Sequence, residues 1–232
     1  MTSITLFGAT GRMGQAVAQA AQGRDDVRIE EQDGDVFVDF SAPDALEDHL
    51  QAAVNAEKPI LIGTTGLTPD HHRLIDEAAQ EIAVLQAANT SLGVNLLAHI
   101  VRETAARLAE DWDIEIVEMH HRHKADAPSG TALLLGQAAA EGRKVDLGEV
   151  SDRGRDGILG ARKPGHIGFA SLRGGSVAGD HQVIFAAEGE RIELGHRAES
   201  RAIFARGAIE AALWLVDKPA GRYAMADVLG IK

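Results

Sequence analysis

The sequence predicts an α/β fold whose C-terminal half is α+β in character. Up to Thr90, short apolar runs alternate with amphipathic stretches, a pattern typical of parallel strands that helices cover on both faces. From Asp113 onward, strands with one polar face and a hairpin pattern predominate. The chain has 232 residues, of which 45% are hydrophobic, and this is enough to pack one large domain or two small ones.

The first half contains runs of apolar or β-branched residues that predict buried strands. They cover Ile4–Phe7, Val36–Phe40, Ile60–Ile62 and Ile82–Leu85. A helical pattern follows each of these strands. The four patterns cover Met13–Gln22, Asp44–Ala56, Pro69–Glu81 and Ser91–Glu110. Pro43 and Pro69 favour helix starts because proline is tolerated in the first turn.

The second half begins with residues Asp113–His120, which alternate between polar and apolar and so predict a strand with one solvated face. Ser129 is expected to cap a helix that runs from Gly130 to about Glu141. A loop rich in glycine and charge is predicted over Asp152–Gly157.

The remaining chain, His166–Ala198, has strand character. A hairpin of Val183–Ala187 and Arg191–His196 is expected around Glu188-Gly189-Glu190. A last helix, Ala202–Val216, stops before Pro219. We expect a first domain of residues 1–90 with about 202–232, to which this helix returns, and a second domain of residues 91–201.

The composition excludes several classes of protein. A formal net charge of −12 argues against a general binder of nucleic acid or anionic membranes. No run of about 20 apolar residues is present, and the N-terminus enters a strand without a basic leader. The absence of cysteine rules out a disulfide framework, a thiolate metal site and a cysteine nucleophile. Together these features favour the cytoplasm.

A glycine-rich loop follows the first predicted strand and opens the first helix. Its spacing, G-x-x-G-x-x-G, is a variant of the dinucleotide-binding fingerprint. Small residues let the backbone approach a pyrophosphate, and a helix start offers N–H groups and a positive dipole end. The alternative is a tight turn that needs glycine only for its backbone angles. The dinucleotide reading predicts a Rossmann-like domain in which these residues contact the cofactor: Gly8, Ala9, Thr10, Gly11, Arg12 and Met13.

Two further loops of small and hydroxylic residues end later strands. In open α/β sheets, ligands bind outside the carboxyl ends of the strands, so these loops fall where the nicotinamide side of a cofactor would lie. Asn89 can hydrogen-bond to the ribose there. Plain turn chemistry is the alternative for each loop taken separately. The candidate cofactor residues in the two loops are Gly63, Thr64 and Thr65, and Ala87, Ala88, Asn89 and Thr90.

The densest basic chemistry lies in the stretch from His120 to Thr131, which ends at the predicted start of a helix. A dianionic substrate could be held by Lys124 and by the N–H groups of Gly130 and Thr131. Histidine is also the side chain best suited to exchange a proton near neutral pH. A metal site is the first alternative, but neighbouring strand positions point to opposite faces and nearby cations would repel a metal, so we expect no metal. An exposed basic loop without a role is the second.

The segment Glu118–Ala132 is very similar to the E-x-H-H-R-H-K-x-D-A-P-S-G-T-A signature of the 4-hydroxy-tetrahydrodipicolinate reductase (dihydrodipicolinate reductase) family. Other segments resemble family segments in the same order, and they are Gly8–Gly14, Asp39-Phe40-Ser41, Gly63–Gly66, Ala87–Asn95 and Ile167–Ala170. The resemblance spans almost the whole chain.

The resemblance implies an enzyme of lysine and diaminopimelate biosynthesis that uses NADH or NADPH to reduce a cyclic imine dicarboxylate. It implies that His120 is the general acid/base and Lys124 the second proton donor, and that His121, Gly130 and Thr131 bind the carboxylates of the substrate. It also implies a homotetramer assembled through the sheet of the C-terminal domain.

The chain departs from the family pattern between the first helix and the Asp39 strand, where only Gly23–Asp35 remain of a longer family segment. A parallel neighbour needs a crossover of about 10–12 residues or more. Val27–Glu31 is therefore not expected to form a regular parallel strand joined to Val36–Phe40, and the cofactor domain is expected to be abbreviated at its second strand. Asp33 matches only weakly the spacing of the acid that reads the ribose.

This shortened segment also bears on the choice between NADH and NADPH. Its acidic residues outnumber its arginines, and carboxylates disfavour the additional phosphate of NADPH. We therefore expect NADH to be used at least as well as NADPH. The acidic residues are Asp25, Asp26, Glu30, Glu31, Asp33 and Asp35, and the arginines are Arg24 and Arg28.

Two other functions remain open at this stage. One is a different Rossmann-type reductase of a small carboxylic acid. The other is a catalytically silent nucleotide-binding regulator, because fold alone does not fix function. The pairing of His120 with Lys124 argues against a silent protein, and consumption of NADH with the substrate would separate the two.

Overall fold

The computed structural model describes residues 1–231, which divide into two compact units. The first comprises Met1–Leu92 and the chain from Arg201 onward, and the second comprises Gly93–Ser200. Within the described residues, no helix is long and apolar enough to span a membrane.

The first unit is built on a six-stranded parallel sheet in the order β11-β5-β4-β3-β1-β2. Its strands are β1 (Thr2–Phe7), β2 (Val27–Glu30), β3 (Val36–Asp39), β4 (Ile60–Ile62), β5 (Ala83–Gln86) and β11 (Gly221–Tyr223). Its helices are α1 (Arg12–Ala21), α2 (Leu46–Asn55, after a 3-10 turn at Pro43–Ala45), α3 (Pro69–Ala78), α7 (Ala202–Leu215) and α8 (Met225–Val228). The predicted Rossmann-like α/β architecture is confirmed, and the short strand β11 is an addition that the sequence reading missed.

Helices cover both faces of this sheet, which explains why its strands are apolar throughout. On one face, α1 and α7 pack with Ile4, Val38 and Leu61. On the other, α2 and α3 pack with Phe37 and Ile62. The last long helix therefore belongs to the core of the first unit.

The expectation that Val27–Glu31 could not form a regular parallel strand is wrong. Val27–Glu30 pairs in parallel with Thr2–Thr5 on the outer side of β1, whereas β3 pairs with Ile4–Phe7 on the other side. Because β2 and β3 are not neighbours and are staggered along β1, the end of β2 lies close to the level at which β3 begins. The connection needs only to cross β1, and a long crossover is not required.

The crossing segment, residues 31–35, is fastened to β1 by polar contacts. Asp35 accepts hydrogen bonds from the backbone N and the hydroxyl of Ser3, both at 2.8 Å. Gly34 donates to the Thr5 hydroxyl at 3.1 Å, and a Cβ atom on Gly34 would lie 2.6 Å from Thr5 N. The first unit is thus abbreviated in the connection between β2 and β3, which contains no helix, whereas β2 itself is present.

The second unit contains a five-stranded mixed sheet in the order β10-β9-β6-β8-β7. Its strands are β6 (Asp113–His120), β7 (Ser151–Arg153), β8 (Ile167–Arg173), β9 (Gly179–Ala187) and β10 (Glu190–Ala198). Its helices are α4 (Leu92–Arg107), α5 (Gly130–Arg143) and α6 (Leu147–Val150). The predicted loop Asp152–Gly157 is partly wrong, because its first residues pair with β8 as strand β7. The predicted hairpin is confirmed, with Glu190 already in its second strand.

On the face of this sheet that packs against α5, side chains from neighbouring strands lie in registered rows. Two rows are apolar: Ile167, Ile114, Phe185 and Ile192, then Phe169, Ile116, Val183 and Leu194. All of these residues pack in the core except Ile192, which lies on the edge strand β10 and is 37% exposed. The next row, which we call the polar row, consists of Ser171, Glu118, His181 and His196. Beyond it, His120 is paired with Arg173. The core therefore gives way to ionisable groups at this end of the sheet.

Candidate functional site

The polar row meets the N-terminus of α5 at Ser129. The Ser129 hydroxyl accepts a hydrogen bond from Ala132 N at 3.1 Å, which confirms the predicted N-cap. The same hydroxyl lies 2.9 Å from His181 Nε2, and Ser129 N donates to Glu118 at 3.2 Å. A Cβ atom on Gly130 would meet no atom within 4 Å, so the space at the first residue of the helix is open. A ligand carboxylate can approach the helix there.

His120 is the last residue of β6 and is 8% exposed. Its Nδ1 lies 2.6 Å from Glu118 Oε2, and its ring stands edge-on to that of His181 with 5.0 Å between the centroids. A Cβ atom on Gly179 would lie 3.0 Å from His120 Nε2. Glycine at that position therefore leaves room beside the second ring nitrogen.

Glu118 is 1% exposed and is surrounded by donors. Arg173 donates to both carboxylate oxygens at 2.8 Å. Burial raises the pKa of Glu118, but the hydrogen bonds from Arg173, His120 and Ser171 outweigh it and lower the pKa to about 2. The carboxylate is thus ionised at any pH at which the protein would work.

Sequence reasoning did not select Glu118, Arg173 or His181 as functional residues. A signal for Glu118 was present, because alternation along a strand places residues 118 and 120 on the same face. The other two reach the site only through the register of β8 and β9 with β6. No local pattern in the sequence reveals that register.

The other predicted substrate residues lie between the end of β6 and the first turn of α5. Lys124 Nζ is 2.8 Å from Asp126, whose side chain is 60% exposed, and Lys124 N donates to His121 O at 3.1 Å. Thr131 follows Gly130 in the first turn of α5. His121 and Lys124 therefore lie in the connection that follows His120, and Gly130 and Thr131 lie in the first turn of the helix to which it leads.

In the first unit, the predicted cofactor loop after β1 is built around close backbone contacts. Gly8 has a φ of +78°, and a Cβ atom there would lie 2.6 Å from Phe40 O. A Cβ atom on Gly14 would lie 2.3 Å from Gly8 O. Both glycines are therefore required by the turn itself. The residues Ala9–Arg12 are exposed, and α1 begins at Arg12 with its N-terminus in this loop. The loop fits a pyrophosphate at a helix start.

The loop after β4 is anchored by a buried carboxylate at the end of β3. Asp39 is fully buried and accepts hydrogen bonds from Ser41 Oγ at 2.6 Å and from Thr64 Oγ1 at 3.1 Å. His49 Nδ1 lies 3.1 Å from the same carboxylate, and its ring stacks on Phe7. The Thr64 hydroxyl is therefore used inside the protein, and His49 has a structural role beside Asp39 and Phe7.

The loop after β5 is fastened to α7. Thr90 Oγ1 donates to Phe204 O at 2.7 Å, and a Cβ atom on Gly207 would lie only 1.8 Å from Thr90 O. Asn89 Oδ1 accepts a hydrogen bond from Ser91 N at 2.9 Å. The position of the Ala87–Thr90 segment thus depends on the close approach of the last long helix. Asp33 is exposed in the crossing segment directly after β2.

We expect His181 to make the protein less stable as the pH falls from 6.5 to 4. Burial, and then the proximity of His120, lower the pKa of His181 from 6.5 to about 4. Between pH 6.5 and pH 4, His181 binds a proton in the unfolded chain but stays neutral in the folded protein. About 3 kcal/mol in the free energy of unfolding is thus lost progressively as the pH falls from 6.5 to 4, and stability does not depend on the protonation of His181 above this range.

Urea unfolding at pH 7.5 and pH 4.5 measures this loss. His181→Gln should shrink the difference in stability between the two pH values, and His123→Gln, at an exposed position, should leave it unchanged. An equal pH dependence in all three proteins would contradict the assignment.

Both units of the chain are similar to known proteins. Residues 93–229 match the family described as dihydrodipicolinate reductase, C-terminus, and residues 27–90 match dihydrodipicolinate reductase, N-terminus. The 4-hydroxy-tetrahydrodipicolinate reductase of Zymomonas mobilis is 58% identical over 98% of this chain and 97% of its own length. That of Caulobacter vibrioides is 49% identical over 99% and 97%.

Among solved structures, the dipicolinate-bound dihydrodipicolinate reductase from Paenisporosarcina sp. TG-14 superposes with a TM-score of 0.78. The two share 23% sequence identity, and the match covers 98% of each chain. The same fold is therefore present in both proteins.

Proposed function

The chain belongs to the dihydrodipicolinate reductase family, and we propose that it reduces (2S,4S)-4-hydroxy-2,3,4,5-tetrahydrodipicolinate to tetrahydrodipicolinate, with loss of water, in lysine and diaminopimelate biosynthesis. The single observation that carries the proposal is the 58% identity with a reductase of this name over nearly the full length of both chains. The absence of cysteine agrees with a cytoplasmic enzyme.

The chemistry of the substrate fits the groups in the second unit. Loss of the 4-hydroxyl as water leaves a conjugated imine, and a bound nicotinamide would supply the hydride for carbon 4. The resulting enamine must then be protonated at carbon 5, which lies between carbon 4 and the imine carbon. We propose that His120 supplies this proton and that Lys124 is the second proton donor. Lys124 is held by an exposed carboxylate, and such a surface pair is weak enough to be exchanged for an anionic substrate.

We propose that the substrate carboxylates bind at the start of α5, to His121, Gly130 and Thr131. The open space at Gly130 supports this, as does the N-terminal end of a 14-residue helix, which favours anions. We further propose that the second unit is the substrate domain and that the first is the dinucleotide-binding domain. In the first unit the cofactor would contact the loops Gly8–Met13, Gly63–Thr65 and Ala87–Thr90.

The decisive experiment follows NADH absorbance while the substrate is generated from pyruvate and aspartate semialdehyde. We expect NADH to be consumed only when both precursors and the enzyme that condenses them are present. A protein that binds NADH and consumes none would be the silent regulator, and the proposal would fail. Turnover with another small carboxylic acid in place of this substrate would favour a different reductase.

We propose that NADH is used at least as well as NADPH. The two arginines that could read the additional phosphate are already paired: Arg24 with Asp26 and Glu210, at 2.6 and 2.7 Å, and Arg28 with Glu30 at 2.7 Å. A phosphate here would have to displace these carboxylates. Screening weakens the effect for exposed groups, so the preference is expected to be modest.

Comparison of kcat/KM for the two cofactors at one ionic strength measures this preference. If Asp33 hydrogen-bonds the ribose hydroxyl, Asp33→Asn should reduce the ratio of kcat/KM for NADH to that for NADPH. A tenfold preference of the wild-type protein for NADPH would contradict the charge argument and would indicate that an arginine reads the phosphate.

We propose a homotetramer joined through the sheet of the second unit. The sheet face turned away from α5 carries Val117, Met119 and Leu172, and Leu172 is 51% exposed. Within residues 1–231, no strand pairs with the outer edge of β10. Exposed apolar surface and a long strand edge are usually covered by a partner.

Light scattering at micromolar concentration should give the mass of four chains. Leu172→Glu should shift the mass toward smaller species, whereas Val145→Glu, at an exposed apolar position elsewhere in the same unit, should not. A stable wild-type monomer would refute the proposed assembly.

A further inference from the structure

Glu118 receives hydrogen bonds from three separate elements of the second unit. Arg173, at the end of β8, donates through both Nη atoms at 2.8 Å, and Ser129 donates through its backbone N at 3.2 Å. His120 Nδ1, at the end of β6, lies 2.6 Å from Oε2. Since the carboxylate is 1% exposed, water hardly competes for its oxygens.

This arrangement decides which ring nitrogen of His120 exchanges protons. A carboxylate only accepts hydrogen bonds, so Nδ1 of His120 carries hydrogen whether the ring is neutral or charged. The second nitrogen, Nε2, is then the atom that gains and loses the proton. It lies beside Gly179, where the missing Cβ leaves space.

Arg173 fixes the carboxylate itself. Its two parallel hydrogen bonds hold the Glu118 carboxylate in one orientation, which the ammonium group of a lysine would not do. A third contact of Arg173, to Asp126 O at 2.7 Å, joins the guanidinium to the connection that carries Lys124. Glu118 and Arg173 thus tie His120, the start of α5 and the Lys124 segment into one hydrogen-bonded group.

We propose that Glu118 and Arg173 are positioning residues for the reduction, which hold His120 so that its Nε2 presents the proton to the substrate. The proposal rests on the proposed function, in which His120 supplies the proton. Neither residue needs to touch the substrate.

Glu118→Gln tests the proposal with little change in volume. The Gln oxygen would be engaged by Arg173, so its amide –NH2 would face His120 Nδ1 and favour the tautomer with hydrogen on Nε2. We expect kcat to fall about 10²-fold while KM for NADH stays within about twofold. Nitrogen NMR of histidine-labelled protein should show the hydrogen of His120 moving from Nδ1 to Nε2. Glu118→Asp keeps the charge and should restore part of the lost kcat.

Glu115→Gln is the matched control. Glu115 lies on the same strand, is bonded by Arg155 and Arg162, and faces the opposite side of the sheet from His120. It should keep wild-type kcat and an unchanged tautomer of His120. Near-native kcat in Glu118→Gln, or an unchanged His120 tautomer, would overturn the proposal.

If Glu118→Gln does not fold, Arg173→Lys is the alternative variant. It keeps the positive charge and removes only the pair of parallel hydrogen bonds to Glu118. We then expect kcat to fall about tenfold, and wild-type kcat would overturn the proposal for this pair. The NMR measurement needs no substrate. A wild-type protein that consumes no NADH would therefore overturn the proposed function, while the tautomer would still decide the role of Glu118.

Discussion

Replacing His120 by alanine is expected to lower kcat about 10²-fold or more, the usual size of a lost proton-transfer group. The affinity for NADH should change little, because the proposed cofactor residues belong to the other unit. Lys124→Ala is expected to have an effect of the same order, since it removes the second proposed proton donor.

Steady-state rates and the NADH dissociation constant, measured on the same preparations, separate the two effects. His123→Ala serves as the control, since this exposed histidine is in the same connection and has no proposed role. Near-native turnover of His120→Ala would mean that another group protonates carbon 5. A parallel loss in His123→Ala would point to a general disturbance of the connection.

Gly207→Ala is expected to damage both the stability of the first unit and its binding of NADH. A Cβ atom at position 207 would lie 1.8 Å from Thr90 O, and the neighbour is backbone, so either α7 or the Ala87–Thr90 segment must move. Overpacking of this kind costs about 1–3 kcal/mol in the free energy of unfolding. Because the segment that moves is a proposed cofactor loop, the dissociation constant for NADH should rise as well.

Urea unfolding and NADH fluorescence titration measure the two quantities. Arg206→Ala, one residue away and exposed, should change the free energy of unfolding by no more than about 0.5 kcal/mol. If Gly207→Ala unfolds at the wild-type urea concentration, helix and loop do not approach as closely as described. If it is destabilised but binds NADH normally, the loop after β5 does not bind the cofactor.

Local patterns in the sequence were sufficient for much of the fold. The buried strands of the first sheet are contiguous apolar runs, and the alternation in Asp113–His120 matches β6 at both ends. Ser129 could be recognised as an N-cap because capping depends on neighbouring residues alone. These features share a cause that lies within a few residues of each position.

The features that were missed depend on which strands pair and in what register. Val27–Glu31 was not expected to form a regular parallel strand joined to Val36–Phe40, because β3 was taken to be its neighbour, whereas β1 lies between them. Likewise, Arg173 reaches Glu118 only because β8 pairs with β6 in one alignment. Such alignments are set by contacts between residues far apart in the sequence, which a reading of local periodicity does not contain.

The polar row has a consequence for how the second sheet assembles. The two core rows beside it are made of Ile, Leu, Val and Phe, so a slip of two residues between strands would still bury apolar side chains against apolar side chains. The polar row breaks this near-equivalence. A slip of two residues could bring Glu118 opposite Phe169 or Val183, and a buried carboxylate without its donors costs several kcal/mol. The correct alignment is thus selected against its alternatives by the same carboxylate that orients His120. Apolar replacements in this row should therefore yield mixed strand alignments during refolding, even where they add hydrophobic surface to the core.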